Sequence, residues 1–276
     1  IIMVKKLFRE PKKGTSGVVV WEMVDLNERF ERWLKDLRNE NPDCRETAAW
    51  YLGNFRERRA VKALIQALKE DDDIYVRRTA AQALGWIGDK RAVGPLIQTL
   101  REDEDSDVRR LSAEALEQIK DGRAVEPLVQ SLKEDRNMYV RLSAAQALDV
   151  LGWVPENNVE KAYYLVAKHE WDDVVRMGGV AAVPLFNAIL DEEPALHSEA
   201  RRAFRALGDE GVKRLIRALN DGDRVVRCKA ALVIGRMHMR SGVEALIGAL
   251  RDEDWEVRVN AAWAVSYTHL RAHETR

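Results

Sequence analysis

The chain has 276 residues, 46% of them hydrophobic and 33% charged, which is a globular composition. Its 45 basic residues nearly balance 46 acidic ones, and the net charge of −1 argues against binding along a phosphate backbone, which normally needs a basic stripe. No apolar run approaches the roughly 18 residues that span a bilayer, and two cysteines far apart, Cys44 and Cys228, give no disulfide framework, so a reducing cytoplasm is the default compartment.

Residues 1–22 fit no helical pattern. Their apolar stretch, Val18 to Trp21, is far shorter than a signal-peptide core and is separated from the leading basic residues by PKKGTSG. They read as a disordered or non-native leader, with Met23 as the expected true start. Residues 23–40 follow as one amphipathic helix, carrying Leu26, Phe30, Trp33, Leu34 and Leu37 on a single stripe. Its expected role is to cap the first repeat of what comes next.

From 41 to 265 the chain repeats itself. IYVRRTAAQALGWIGDKRAVGPLIQTL, starting at Ile74, is echoed by SDVRRLSAEALEQIKDGRAVEPLVQSL, starting at Ser106. Arg45, Arg77, Arg109 and Arg141 recur 32 residues apart, and the register returns at His197, Arg227 and Arg258. Each unit reads as two helices. In the first, Val76, Ala80, Ala81, Leu84 and Ile87 line one face, Asp73 is the expected N-cap and Gly88 the stop. In the second, Val93, Leu96, Ile97 and Leu100 form the apolar face, and Pro95 sits in the first turn, where its missing N–H costs little; Pro127 and Pro184 hold the same place. The small pair Ala80–Ala81 recurs as Ala48–Ala49, Ser112–Ala113, Ala144–Ala145, Ala230–Ala231 and Ala261–Ala262, letting neighbouring helices approach. Cys44 falls where other repeats place an aliphatic residue and reads as a small buried hydrophobe. A unit of this size cannot bury its apolar face alone, so the expected fold is all-α, an α-α superhelix of about seven to eight two-helix repeats stacked as a solenoid.

The register fails at about 152–183, where an irregular unit with a shortened first helix is expected. Val159, Ala162, Tyr163, Val166 and Ala167 make one stripe, after Asn158 as the expected cap. Trp171, Val174, Val175 and Met177 make a shorter stripe, stopped by Gly178–Gly179. After Val265 the pattern calls for a glycine and a second helix, but residues 266–276, SYTHLRAHETR, resemble sequencing-adapter read-through and are read as a non-native tail. Trp50 and Trp263 replace the Gln82-type residue in the first and last repeats; Trp50 is expected to pack on the capping helix near Trp33, and Trp263 to lack a partner.

The repeated VRxxAAxALGxIGDxRAVxPLIxAL pattern resembles the HEAT-like repeats of phycobilin-lyase (PBS lyase) subunits, over roughly residues 41–265. The resemblance implies an armadillo-like solenoid whose second helices line the concave surface. It implies no single activity, because that family includes scaffolds, regulators and the lyase subunits. The first reading is a non-catalytic scaffold that binds a protein or peptide. The alternative, implied by the resemblance alone, is a subunit of a bilin-lyase-type enzyme that attaches or handles a tetrapyrrole on a carrier protein.

The residues offer little catalysis. His169, His197, His238, His269 and His273 are scattered, His197 stands at the structural place of the repeat arginine, and no His/Cys cluster has metal-ligand spacing. The phosphate-loop, dinucleotide and nucleophile-elbow motifs are absent, and the acidic clusters at 71–73 and 191–193 fall between repeats as helix-start charges. No catalytic residue, metal site or cofactor is therefore expected, and neither nucleic acid nor membrane is an expected partner. The repeat arginines are expected to bond to helix-start aspartates such as Asp73, Asp107, Asp223 and Asp254 as an inter-repeat ladder. Tyr75 and Tyr139 are candidate anchors, and Trp86 and Trp153 a candidate edge patch. The candidate partner-binding residues are Gln66, Gln98, Gln130, Asn187 and Arg217, one per second helix, since amides that both donate and accept suit an extended backbone.

Overall fold

The computed structural model describes residues 12–13, 19–20, 26–191 and 197–274. Most of the leader (1–22), with Met23, lies outside them; within it Lys12–Lys13 (β1) pairs antiparallel with Val19–Val20 (β2). Everything else ordered into regular elements is helical, in two compact units, Ile1–Asp121 and Gly122–Arg276.

The first unit holds α1 (Leu26–Asp36), α2 (Pro42–Asn54), α3 (Val61–Glu70), α4 (Ile74–Ile87), α5 (Val93–Glu102) and α6 (Ser106–Ile119). Each first-type helix starts on an Asx side chain that satisfies otherwise orphan N–H groups. Asn41 accepts from Asp43 N, Asp73 from the N–H of Tyr75 and Val76, and Asp105 from Val108 N. α4 stops at Gly88, whose φ of 71° suits glycine. Short 3-10 turns at Arg58–Ala60 and Lys90–Ala92 then reverse the chain into α3 and α5. The second helices bury Val61, Leu64 and Leu68, and Val93, Leu96 and Leu100, almost completely. Close approach of the first helices rests on small residues: a Cβ at Gly53 would lie 2.5 Å from Ala83 Cα, and one at Gly85 2.9 Å from Ala115 Cα. The expected spacing role of small residues is thus met by backbone against backbone.

α1 packs against α2, with Phe30 and Leu37 buried. The aromatic contact differs from expectation. Trp33 stacks on Tyr51 at 4.8 Å, while Trp50 meets Tyr51 edge-on at 5.0 Å. Tyr51 of α2 and Phe55, the residue after that helix, both stack on Trp33 of α1, with Trp50 joined to the cluster through Tyr51. Cys44 is exposed rather than buried. Its equivalents Val76 and Val108 are covered; in the first repeat the preceding element is the eleven-residue α1 and not a full hairpin.

The second unit holds α7 (Val125–Glu134), α8 (Met138–Val150), α9 (Asn158–Ala167), α10 (Trp171–Arg176), α11 (Ala182–Leu190), α12 (His197–Ala206), α13 (Gly208–Ala218), α14 (Arg224–Arg236), α15 (Val243–Ala249) and α16 (Trp255–Glu274). The irregular stretch is the α9–α10 region. Asn157, not Asn158, caps α9 by accepting from Glu160 N. The shortened first helix is the six-residue α10, and Gly178 turns the chain with φ 62°. Phe186 and Phe204, both buried, hold α11 against α12 with ring centroids 6.4 Å apart. The glycine device returns at Gly235, where a Cβ would lie 2.9 Å from Ala264 Cα. α16 does not stop after Val265 but continues to Glu274. That continuation gives Trp263 the partner it was expected to lack: Tyr267, one turn on, lies 4.3 Å away. No helix among the described residues is long and apolar enough to cross a membrane.

Candidate functional site

The repeat arginines come first, because a row of guanidinium groups is the most conspicuous chemistry in the chain. Arg45 donates Nε and Nη2 to both carboxylate oxygens of Asp71, at 2.7 and 2.8 Å. Its Nη1 donates to the carbonyls of Asn39 and Glu40. Arg77 does the same to Asp103 and to the carbonyls of Asp71 and Asp72. Arg227 repeats it with Asp252, Asp221 and Gly222. Each arginine therefore ties the loop before its helix to the loop 25 or 26 residues later. The ladder was expected, but its rungs are different aspartates. The partners Asp71, Asp103 and Asp252 follow second helices, whereas Asp73 and Asp223 cap first helices and Asp254 accepts from the N–H of Glu256 and Val257. The carboxylate two residues upstream of the cap takes the guanidinium, while one of its oxygens also accepts from the N–H of the residue at the cap position. Asp107 pairs instead with Arg78 and Arg110.

Arg141 marks the irregular unit. It pairs with Asp191, 50 residues on, through Nη2 at 2.7 Å, and its Nε is buried with no hydrogen-bond partner. Its Nη1 still reaches the carbonyl of Asp135. His197, at the arginine position of the next first helix, bonds through Nε2 to the Asp191 carbonyl at 2.8 Å, so it is structural as expected.

The five second-helix residues are not equivalent. Gln66, Gln98 and Gln130 are exposed, and each donates Nε2 to a glutamate one turn on: Glu70, Glu102 and Glu134, at 3.0, 2.9 and 3.2 Å. In the first unit this places one exposed amide–carboxylate pair on α3 and one on α5. Arg217 is exposed. Asn187 departs from the row. It is 7% exposed, donates Nδ2 to the Lys133 carbonyl at 2.6 Å and accepts from Lys229 Nζ at 2.7 Å. Sequence register placed Asn187 with the glutamines, but α11 is nearly all apolar and buried on all sides, so its one amide serves the interior. Burial holds the Lys229 ammonium below the ordinary lysine range, with nearby Arg141 acting the same way.

The other candidates resolve individually. Tyr75 and Tyr139 are exposed, with Arg78 over the Tyr75 ring at 5.5 Å. Trp86 approaches Gly53 in the first unit, and Trp153 packs 6.1 Å from Tyr164 in the second. Sequence reading missed one grouping: the Cys228 thiol, Asp254 and Glu256 place their ligand atoms within 4.8 Å of one another. Burial pushes that thiol up, and Arg224 lies 3.7 and 3.2 Å from the two carboxylates. A neutral thiol beside carboxylates already facing a guanidinium is the chemistry of a helix start. A cleft of about 930 Å³ opens between α1 and α3, with Glu31, Lys35, Arg59, Lys62 and Gln66 on its walls, mixing both signs of charge.

A family model described as HEAT repeats matches residues 30–117, 93–184 and 212–272. No curated protein sequence matches the chain. Among solved structures, it is similar to the complex of CpcE and CpcF of phycocyanin lyase from Nostoc sp. PCC7120, at 26% identity over 87% of this chain and 94% of that one, with a TM-score of 0.37. It is also similar to human deoxyhypusine hydroxylase (20% identity, 88% and 96% covered, TM-score 0.42) and to a designed armadillo repeat protein (16%, 87% and 100%, 0.36).

Proposed function

This chain belongs to the HEAT-repeat family, and on that premise we propose that it is a non-catalytic interaction scaffold holding a protein or peptide on its second helices. One observation carries the reading: Gln66 and Gln98 stand at the same place on α3 and α5, exposed, each oriented by a glutamate of its own helix and neither used to join one helix to another. The fold has no use for them, so their repetition calls for another explanation. An amide whose N–H is partly held by a carboxylate presents its carbonyl oxygen and a second N–H outward. A ladder of such groups matches the alternating donors and acceptors of an extended backbone. Gln130 with Glu134 repeats the arrangement on α7, and Arg217 supplies a cation at the corresponding position of α13. Asn187 is withdrawn from the contact set because its amide is spent inside.

The test is affinity capture with the full chain from its source, repeated with Gln66→Glu and Gln98→Glu together. Each change sets a second carboxylate beside Glu70 or Glu102 and removes the amide donor. The expected result is loss of the captured partner with the folded state intact. Undiminished recovery would discard the glutamine row.

A further inference from the structure

The charge of this chain is unevenly distributed. Overall it is balanced at 45 basic and 46 acidic residues, yet between His197 and Arg240 it carries eleven Lys and Arg against five Asp and Glu. The excess concentrates on the hairpin α12–α13, in Arg201, Arg202, Arg205, Lys213, Arg214 and Arg217.

Comparison with the other repeats shows that these are departures from the repeat itself. Four residues after the repeat arginine the other first helices place Ala49, Ala81, Ala113, Ala145, Ala231 and Ala262; α12 places Arg201. Eight residues after it stand Gly53, Gly85 and Gly235 in three of them; α12 places Arg205. On the second helix, the place held by Pro95, Pro127 and Pro184 goes to Arg214, and that of the glutamines to Arg217. α12 packs against the six-residue α10 rather than a full-length first helix. That leaves room for arginine where Ala49, Ala81, Ala113, Ala145 and Ala231 are fully buried, Ala262 in the last first helix being exposed.

These cations are poorly compensated. Arg214 pairs with Glu210 at 3.3 Å. Among the described residues Arg202, Arg205, Lys213 and Arg217 make no ion pair, and their side chains are exposed. The Arg201 Nε is buried without any acceptor. The ladder arginines Arg45, Arg77 and Arg227 are spent on aspartates; of the five guanidinium groups and one ammonium on these two short helices, only that of Arg214 has a carboxylate partner among the described residues. Guanidinium forks match carboxylates in geometry as well as charge.

We propose that the α12–α13 hairpin is an anion-recognising surface that docks an acidic segment, rich in Asp and Glu, of a protein partner. The inference rests on the scaffold reading but not on the glutamine row. A short acidic segment fits a patch confined to one hairpin. A nucleic acid needs a basic track many phosphates long, and outside residues 197–240 acids outnumber bases.

The probe is a fluorescent ten-residue glutamate peptide, titrated by anisotropy into the full chain at low salt. Binding that weakens as salt is raised is expected. Arg205→Gln, Lys213→Gln and Arg217→Gln together should weaken it about tenfold or more. The matching change at Lys62, Lys69 and Arg101, exposed on α3 and α5, should alter it less than about twofold. Unchanged thermal unfolding midpoints certify both variants; should the first not fold, a decalysine peptide tested on the unmodified chain replaces it and must not bind. The proposal is overturned by no peptide binding at low salt, by equal weakening in the two triple variants, by decalysine binding as well, or by tighter binding of a ten-nucleotide single strand. The Gln66→Glu and Gln98→Glu variant should keep the peptide, which separates failure of this site from failure of the glutamine row.

Discussion

In α2–α5 the repeat arginines grip an aspartate 26 residues on with two donors each, whereas from α8 the grip spans 50 residues and uses one. The environments differ too. The Arg77 and Asp103 side chains are 10% and 9% exposed, while those of Arg141 and Asp191 are 2% and 0%. The template position 26 residues after Arg141 is Ala167, which has no carboxylate to offer. The rung is rescued by Asp191, two helices further along after α11, at the cost of an orphaned Nε. A repeat array can thus absorb an irregular unit if the loop-to-loop contacts find a substitute, but the substitute is drier and less well satisfied.

That contrast can be broken experimentally. Asp191→Ala should destabilise the chain by roughly 3–5 kcal/mol, because it leaves Arg141 as a buried uncompensated charge. Equilibrium urea unfolding reads this, and a loss no larger than that of Asp103→Ala would erase the distinction. Leu96→Ala should cost roughly 2–5 kcal/mol by opening a cavity at a site with 0% exposure; a cost under about 1 kcal/mol would mean that Leu96 is not core. Asp103→Ala should cost about 1–3 kcal/mol, since Arg77 keeps its two carbonyl acceptors and is nearer to water.

A smaller effect concerns acid. The Arg91 side chain and N–H hold the Asp89 carboxyl at about 2, below its ordinary value of 3.8. A carboxyl depressed in the folded state contributes stability that is present above pH 4 and lost as pH falls toward 2. Arg91 is 61% exposed, so solvent screening keeps the contribution small. Arg91→Ala should narrow the stability difference between pH 4 and pH 2; an identical acid profile would remove the pair from the account. Smallest of all, Gln98→Glu should shift stability within about 0.5 kcal/mol, as befits an exposed side chain.

Much of this was legible in the residues. The 32-residue spacing of arginines, the Asp73 and Gly88 helix signals and the apolar stripes of Leu96 and Phe30 describe contacts within a hairpin or with the next one, and such contacts recur at fixed sequence separations. Local caps and turns need no knowledge of the rest of the chain. What required the tertiary structure was the choice among equivalent candidates. Asp71 over Asp73 for the arginine rung, the stacking of Tyr51 on Trp33, and the burial of Asn187 beside exposed Gln66 and Gln98 depend on which way a face turns and what covers it. Asp191 as the partner of Arg141 lay furthest from view. Sequence determined the repeating hairpin because its driving force, burial of a periodic apolar face, is written in periodicity; the irregular unit interrupts that period, and there only packing in space decides which charges meet.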